Sequence, residues 1–279
     1  MKLKDDDLQK TIELVTRKTG IYPRDSHKEG IKNYVEKRLD ALNETSFASY
    51  YMILQNKQEE FLHLINESTV NETYFFREEK QFMFLKDKFF PSWISKNGST
   101  TMNIWCAACS SGEEAYSLAL LAKHCHIRVE VTASDINTNV MEICNKGVYK
   151  ASSCRNVDGG SFNFLLEAYK QSDGTYQISD DVKEMVKTRQ INLSKLNMPD
   201  TMFNLPRNQH LIFIRNVFIY FSMELRAEIL KTIADVSLAN DGLLFVSMNE
   251  IAPLDDKILP PNLERISDGP VFCFHKKSK

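Results

Sequence analysis

No apolar run in the sequence is long enough to cross a bilayer, so a membrane-spanning helix is not expected. Charge of one sign is also lacking. The formal net charge is -2 over 279 residues, which gives no global reason to expect a nucleic-acid partner. The stretch MKLKDDDLQK at the amino terminus is charged and has no signal-peptide apolar region. Six cysteines (Cys106, Cys109, Cys125, Cys144, Cys154 and Cys273) are scattered rather than arrayed. They are expected to be reduced thiols of a cytoplasmic protein, not a disulfide framework. Internal repeats and low-complexity tracts are missing too. What is present is an ordinary globular balance, 43% hydrophobic and 26% charged. That suits one large domain, or a core domain with a small one.

The first 70 residues carry helical periodicity and no strand signal. DDDLQKTIELVTRKTG places Leu8, Ile12 and Val15 on one face, has acids in its first turn and stops at Gly20. HKEGIKNYVEKRLDALNETSF repeats the pattern with Ile31, Val35, Leu39 and Leu42. Ser46 is placed to cap a third helix, and Phe61, Leu62 and Ile65 mark a fourth. An irregular stretch follows, then a helix with Phe82, Leu85 and Phe89 on one stripe, expected to stop at Pro91. From there strands alternate with helices: MNIWCA, EEAYSLALLAKH, RVEVTASD, NTNVMEICNKG, QHLIFIRNV, SMELRAEILKTIADVSL, GLLFVSM and PVFCFHK. The alternation predicts an α/β domain with a mainly parallel sheet. Between Val148 and Asn192 it is interrupted, and Asp173-Gly174 signals a hairpin turn, so a small inserted β-subdomain is expected over about 150–191. The domain division is therefore 1–70 helical and 71–279 α/β.

The stretch WCAACSSGEEAYSLAL, starting at Trp105, admits two readings. Cys106-x-x-Cys109 has the spacing of redox pairs and half-zinc sites. Zinc, however, needs four converging ligands, and the nearest histidines, His124 and His126, lie a full helix away. A redox pair normally opens its helix directly, and here Gly112 intervenes. The alternative is a loop of small residues, Ala107 to Gly112, that lets a ligand approach the main chain at the carboxyl edge of a strand. Glu113 and Glu114 then open the helix, which disfavours phosphate and favours a cationic ligand group. The bland counterpart is a tight turn before an acidic helix. Asp135 ends the next strand roughly 20 residues on, where an acid binds ribose hydroxyls; its bland counterpart is a helix cap. Together, loop and acid point to an adenosine-bearing ligand without a bound phosphate.

The blocks NETYFFREEKQF, WCAACSSGEEAYSLAL, TASDIN, INL and IRNVFIYF occur in this order. Together they resemble the CheR-type chemotaxis receptor methyltransferases, over about Leu8 to Lys277. The resemblance implies a helical amino-terminal domain, a Rossmann-like S-adenosylmethionine-dependent methyltransferase domain and a small β-subdomain inserted in it. It implies methyl transfer from S-adenosylmethionine to glutamate side chains of chemoreceptor cytoplasmic helices, leaving S-adenosylhomocysteine and using no metal. It also implies a cytoplasmic enzyme associated with receptor arrays at the inner face of the membrane, without nucleic acid or membrane insertion. On this pattern Asn71, Thr73 and Arg77 contact the cofactor, and Glu114 meets its methionyl amino group. Asp135 takes the ribose, Asn192 and Leu193 flank the adenine, Asn216 and Val217 form another contacting pair, and Tyr220 stands near the transferred methyl. Family members often carry several arginines on the second helix for receptor docking. Here Arg38 falls on that pattern, Asp40 stands where a further basic residue is common, and Lys28, Lys32 and Lys37 are the compensating cations. Some members also bind a receptor carboxyl-terminal tail peptide by adding a strand to the β-subdomain.

A substrate glutamate is already ionised at neutral pH, so no strong general base is required, and the blocks hold no obvious His–Asp pair. The protein must position the carboxylate and strip its water. Arg77 and Tyr220 are the expected catalytic residues. Arg77 sits beside a helix amino terminus, which opposes the dipole unless it serves a ligand; otherwise it is a solvated arginine offset by Glu78 and Glu79. Tyr220 is otherwise a core tyrosine. Two other functions fit the same residues: a non-catalytic S-adenosylmethionine-binding regulatory module, and a methyltransferase for another acceptor.

Overall fold

The computed structural model describes residues 2–155, 160–251 and 259–278. Helices α1 (Asp5–Thr19), α2 (Asp25–Ala41), α3 (Phe47–Asn56) and α4 (Gln58–Ser68) pack around Leu14, Ile31, Val35, Leu39, Tyr50, Leu54 and Leu64. The local signals act as expected. Gly20 takes the left-handed conformation after α1, and Ser46 accepts from the Ser49 amide at the start of α3. Leu42 does not join the core, because α2 ends before it.

Next come α5 (Glu79–Phe84), a π-helical turn over Leu85–Phe89 and α6 (Phe90–Asn97). The expected stop at Pro91 does not occur. The Phe90 amide bonds to the Leu85 carbonyl, five residues back, so the helix is reset and Pro91 lies in the first turn of α6. There its missing N–H is tolerated.

The α/β part contains β1 (Met102–Ala107), α7 (Glu113–His124), β2 (Val129–Asp135), α8 (Thr138–Lys146), β3 (Val148–Tyr149), β4 (Tyr176–Gln177), α9 (Asp180–Lys183) and β5 (Val186–Gln190). It continues with α10 (Pro199–Phe203), β6 (Gln209–Ile214), α11 (Met223–Thr232), β7 (Leu238–Val246), α12 (Met248–Ile251), β8 (Leu263–Asp268) and β9 (Val271–Lys276). One sheet has the order β5-β2-β1-β6-β7-β9-β8. Strands β5 to β7 are parallel, and β9 and β8 close it antiparallel. On β1, Ile104 and Cys106 face one core while Trp105 and Ala107 face the other, as a strand covered on both sides requires. The chain order reverses between β1 and β6, which places a crevice at their carboxyl ends.

Two strand assignments differ from expectation. Val186–Gln190 was expected in the inserted subdomain, but it pairs with β2 as the parallel edge of the large sheet. The separate small sheet is only β3 with β4, and the turn at Asp173-Gly174 closes a bridge between Lys170 and Tyr176. Strand β8 was not foreseen, because its half-exposed, charged sequence LERISD shows no apolar run.

The helical domain is tied to the sheet domain by polar contacts. The Asn66 amide bonds to Thr138 and Asn139, and Asn137 donates to the Asn66 carbonyl and Thr69. Within the helical domain, Arg38 makes two bonds to Glu60, at 2.8 and 2.6 Å, and Tyr50 donates to the same carboxylate. Burial raises the Glu60 pKa, but the Arg38 and Tyr50 bonds outweigh it and the net shift is downward. Removing one partner of a buried pair costs about 3–5 kcal/mol. With Arg38 30% exposed, Arg38→Ala is expected to cost about 2 kcal/mol at neutral pH, read by urea unfolding. A depressed carboxylate pKa stabilises above the ordinary carboxylate range and is lost as pH falls through the folded value. The deficit of the variant should therefore shrink in acid.

A cofactor cleft at the switch point

The residues after β1 leave the sheet through strained backbone. Ala108 and Ser110 both have positive φ, 81° and 50°. The conformation is held by hydrogen bonds: the Ala108 and Cys109 amides donate to the Ser134 carbonyl, and the Ser110 amide donates to Asp135 Oδ2 at 2.8 Å. Asp135 Oδ1 accepts from the Asn137 amide. The helix cap is thus Asn137, whose side chain accepts from Asn139 and Val140, and Asp135 is free of that role. Gly112 follows at φ 94°, where an added Cβ would lie 2.3 Å from Cys144 Sγ. Only glycine lets the loop pack onto α8.

The cysteines are part of that packing. Cys106 and Cys109 are buried, and the Cys109 thiol lies 3.9 Å from Met141 Sδ. Burial pushes the Cys106 thiol well up; contact with Cys144 and then burial do the same to Cys109. Such thiols are inert. Among the described residues no group of three His, Cys, Asp or Glu side chains is placed to hold a metal.

The acidic pair divides its work. Glu113 is buried and accepts from Ser111 and from Ser153, tying the loop to the residues after β3. Glu114 faces the cleft. Burial raises its pKa, countered by Arg215, whose Nη1 is 3.3 Å from Glu114 Oε2. Burial likewise raises Asp135, against the pull of the amides it accepts from.

All ten expected cofactor and catalytic residues line one cleft: Asn71, Thr73, Arg77, Glu114, Asp135, Asn192, Leu193, Asn216, Val217 and Tyr220. The cleft encloses about 1020 Å³ of empty space, including solvent at its mouth. Asn71 approaches the loop, its carbonyl accepting from Ser110 Oγ. Arg77 donates to the Glu72 carbonyl and stands over Tyr74. Asn192 is fixed by the Ser194 amide and by its own donation to the Lys18 carbonyl of α1. Asn216 has φ 57°, and the turn after it carries Tyr220, half-buried. Burial pushes the Tyr220 hydroxyl up, against the nearby Arg24 and Arg77.

The expected docking cations are not brought together. Lys28 and Lys32 are one helical turn apart, whereas Lys37 falls on the opposite side of α2. Lys28 pairs with Asp25 at 2.7 Å, and Arg38 is turned inward onto Glu60. Arg38 thus belongs to the helical core rather than to a docking face.

Three residues escaped the sequence reading. Arg215 follows β6 directly, with a side chain 2% exposed, and its charge alone marked it. Arg24 lines the cleft from the α1–α2 linker. Glu250, in α12, is 1% exposed and accepts from the amides of Asn216, Ile219 and Ser247 at 2.9, 3.3 and 3.2 Å. Nothing local to its sequence signals that role.

The carboxylates of Glu114 and Asp135 suit a cationic amino group and ribose hydroxyls, and the small-residue loop lets a nucleoside approach the main chain. On a Rossmann-like sheet this defines an S-adenosylmethionine-dependent methyltransferase. Residues 71–262 match the CheR methyltransferase SAM binding domain, and residues 6–69 match the CheR methyltransferase all-alpha domain. The chain belongs to the CheR methyltransferase family. It is 32% identical to chemotaxis protein methyltransferase 2 of Vibrio cholerae over 261 residues, 88% of this chain and 85% of that protein. It is 30% identical to the chemotaxis protein methyltransferase of Escherichia coli K12 (89% and 85% covered) and 29% identical to that of Borreliella burgdorferi (88% of each).

Glu250→Gln would turn one buried acceptor into a donor facing backbone N–H groups, at a cost of about 1–3 kcal/mol. The loosened Asn216 turn should lower S-adenosylhomocysteine affinity about tenfold, measured by calorimetry; unchanged affinity would separate Glu250 from the site.

Proposed function

We propose that the protein transfers a methyl group from S-adenosylmethionine to glutamate carboxylates on the cytoplasmic helices of chemoreceptors, giving glutamate methyl esters for sensory adaptation. The observation that carries this reading is the convergence of Glu114, Asp135, Arg77 and Tyr220, from four separate segments, on one cleft. Names of relatives as chemotaxis protein methyltransferases support the receptor as acceptor. We assign Asp135 to the ribose, Glu114 to the methionyl amino group, and Asn192 and Leu193 to the adenine. Asn71, Thr73, Asn216 and Val217 complete the cofactor contacts.

S-adenosylmethionine, when bound, supplies an electrophilic methyl group on a sulfonium that leaves as neutral S-adenosylhomocysteine. An acceptor carboxylate oxygen provides the electron pair for the new bond, and no proton has to be removed. Arg77 binds the cofactor carboxylate or orients the incoming glutamate through its planar fork. Tyr220, kept protonated by its raised pKa, donates to the acceptor oxygen that is not attacking. Receptor helices meet the helical domain, with Lys28, Lys32 and Lys37 as separate contacts. A receptor tail is left out of this proposal, because β3 and β4 offer edges of only two residues each for strand addition. The work is done at the cytoplasmic face of the membrane, where receptor arrays present their helices.

The test mixes the purified protein, S-adenosylmethionine labelled in the methyl group and a chemoreceptor cytoplasmic fragment. Label on the fragment that mild alkali releases as methanol is expected; alkali-stable label or none would overturn the assignment. The rate should fall towards acid pH, as Glu114 with its raised pKa takes up a proton.

A further inference from the structure

The linker between α1 and α2 is held down on the cleft. At Gly20 an added Cβ would lie 2.4 Å from Leu225 and 2.9 Å from Ser194. Two residues on, the Tyr22 amide donates to the Tyr220 carbonyl at 3.0 Å, and the Lys18 carbonyl accepts from Asn192. Arg24 is therefore delivered by anchored backbone. Its guanidinium stands 5.3 Å from the centroid of the Tyr220 ring and lines the cleft, although the residue as a whole is exposed. The neighbouring carboxylate, Asp25, is taken by Lys28 at 2.7 Å. Among the described residues no carboxylate is within ion-pair distance of Arg24. Among the described residues it is thus a cation without an anion, placed over the tyrosine at the mouth of the site.

We infer that Arg24 binds the acceptor: its guanidinium receives the ionised side chain of the incoming glutamate and makes the site prefer glutamate to uncharged side chains. The inference rests on the carboxyl-methylation reading and adds a residue to it. Arg77 is less suited to the mouth, since it is half-buried and committed to the Glu72 carbonyl. The chemistry gives the contact a direction. Before transfer the carboxylate pairs with the guanidinium through charge-assisted bonds. Afterwards one oxygen carries the methyl group, the carbon–sulfur electron pair has gone to sulfur, and the ester is neutral. The pair that captured the substrate no longer holds the product. Because Arg24 is exposed, the contact is worth a factor of about two to five in affinity, not more.

The experiment compares the 279-residue protein with its Arg24→Gln and Arg24→Lys variants. It reads KM and kcat for a receptor cytoplasmic fragment, calorimetric affinity for S-adenosylhomocysteine, and inhibition by the same fragment with its target glutamates changed to glutamine. For Arg24→Gln, KM should rise about twofold to fivefold while kcat falls much less and cofactor affinity stays level. The preference for the glutamate over the glutamine fragment should shrink by the same factor, and Arg24→Lys should recover part of it. An unchanged KM and preference would overturn the role of Arg24. So would a parallel loss of S-adenosylhomocysteine affinity, which would make Arg24 a cover for the cofactor. Wild-type protein that leaves the fragment unlabelled would overturn the methylation reading, and this inference with it; labelled wild type with an unaltered variant overturns the inference alone.

Discussion

One buried guanidinium ties the site together. Arg215, at the end of the central strand β6, donates to the Arg77 carbonyl, faces Glu114 at 3.3 Å and Glu78 at 4.0 Å, and lies over the Phe82 ring. Stripping water from such a group is costly unless charge and hydrogen bonds replace it. Here the Arg77 carbonyl supplies a hydrogen bond and two acids supply the opposing charge, while Nε and Nη1 have no hydrogen-bond partner among the described residues. The segment around Arg77, the start of α7 and the end of β6 are thereby fixed against one another. Glu114 keeps a partner that favours its ionised form, which is the form a cationic ligand group needs.

The loops around that cation are shaped by carboxylates turned onto backbone amides. Asp135 takes the Ser110 and Asn137 amides, and Glu250 takes those of Asn216, Ile219 and Ser247. Positive φ values at Ala108, Ser110 and Asn216 are unfavourable for residues with a side chain, and persist only where the surroundings over-determine them. Asp135 supplies that constraint at Ser110 and Glu250 at Asn216, while the Ser134 carbonyl holds Ala108. The strained positions lie where the main chain faces the cleft, so the same bonds that hold the fold also set the distances available to a ligand.

Much of this was legible where the signal is local. The strand–loop–helix of Met102–His124 shows apolar run, small residues and acids in order, and the ten residues that line the cleft are those the resemblance to the CheR-type family implied. What was missed depends on partners distant in sequence. Pro91 reads as a stop until a π turn resets the ladder behind it. VKTRQ and LERISD are polar because they are edge strands, and only the sheet order shows where they belong. Arg38 looks like a docking cation until Glu60, a helix and a half away, turns it inward. Glu250 and Arg24 carry no motif; each gains its place by meeting the Asn216–Tyr220 turn from another part of the chain.

If the cleft is assembled around Arg215, an Arg215→Met protein should show it in its affinity for S-adenosylhomocysteine, measured by calorimetry beside its urea unfolding. Methionine fills much of the same space but leaves Glu114 buried without its nearest cation, which pushes its pKa further up and disfavours the charged form. The account predicts an affinity at least about tenfold weaker in a protein that still unfolds cooperatively. Wild-type affinity in that variant would contradict it.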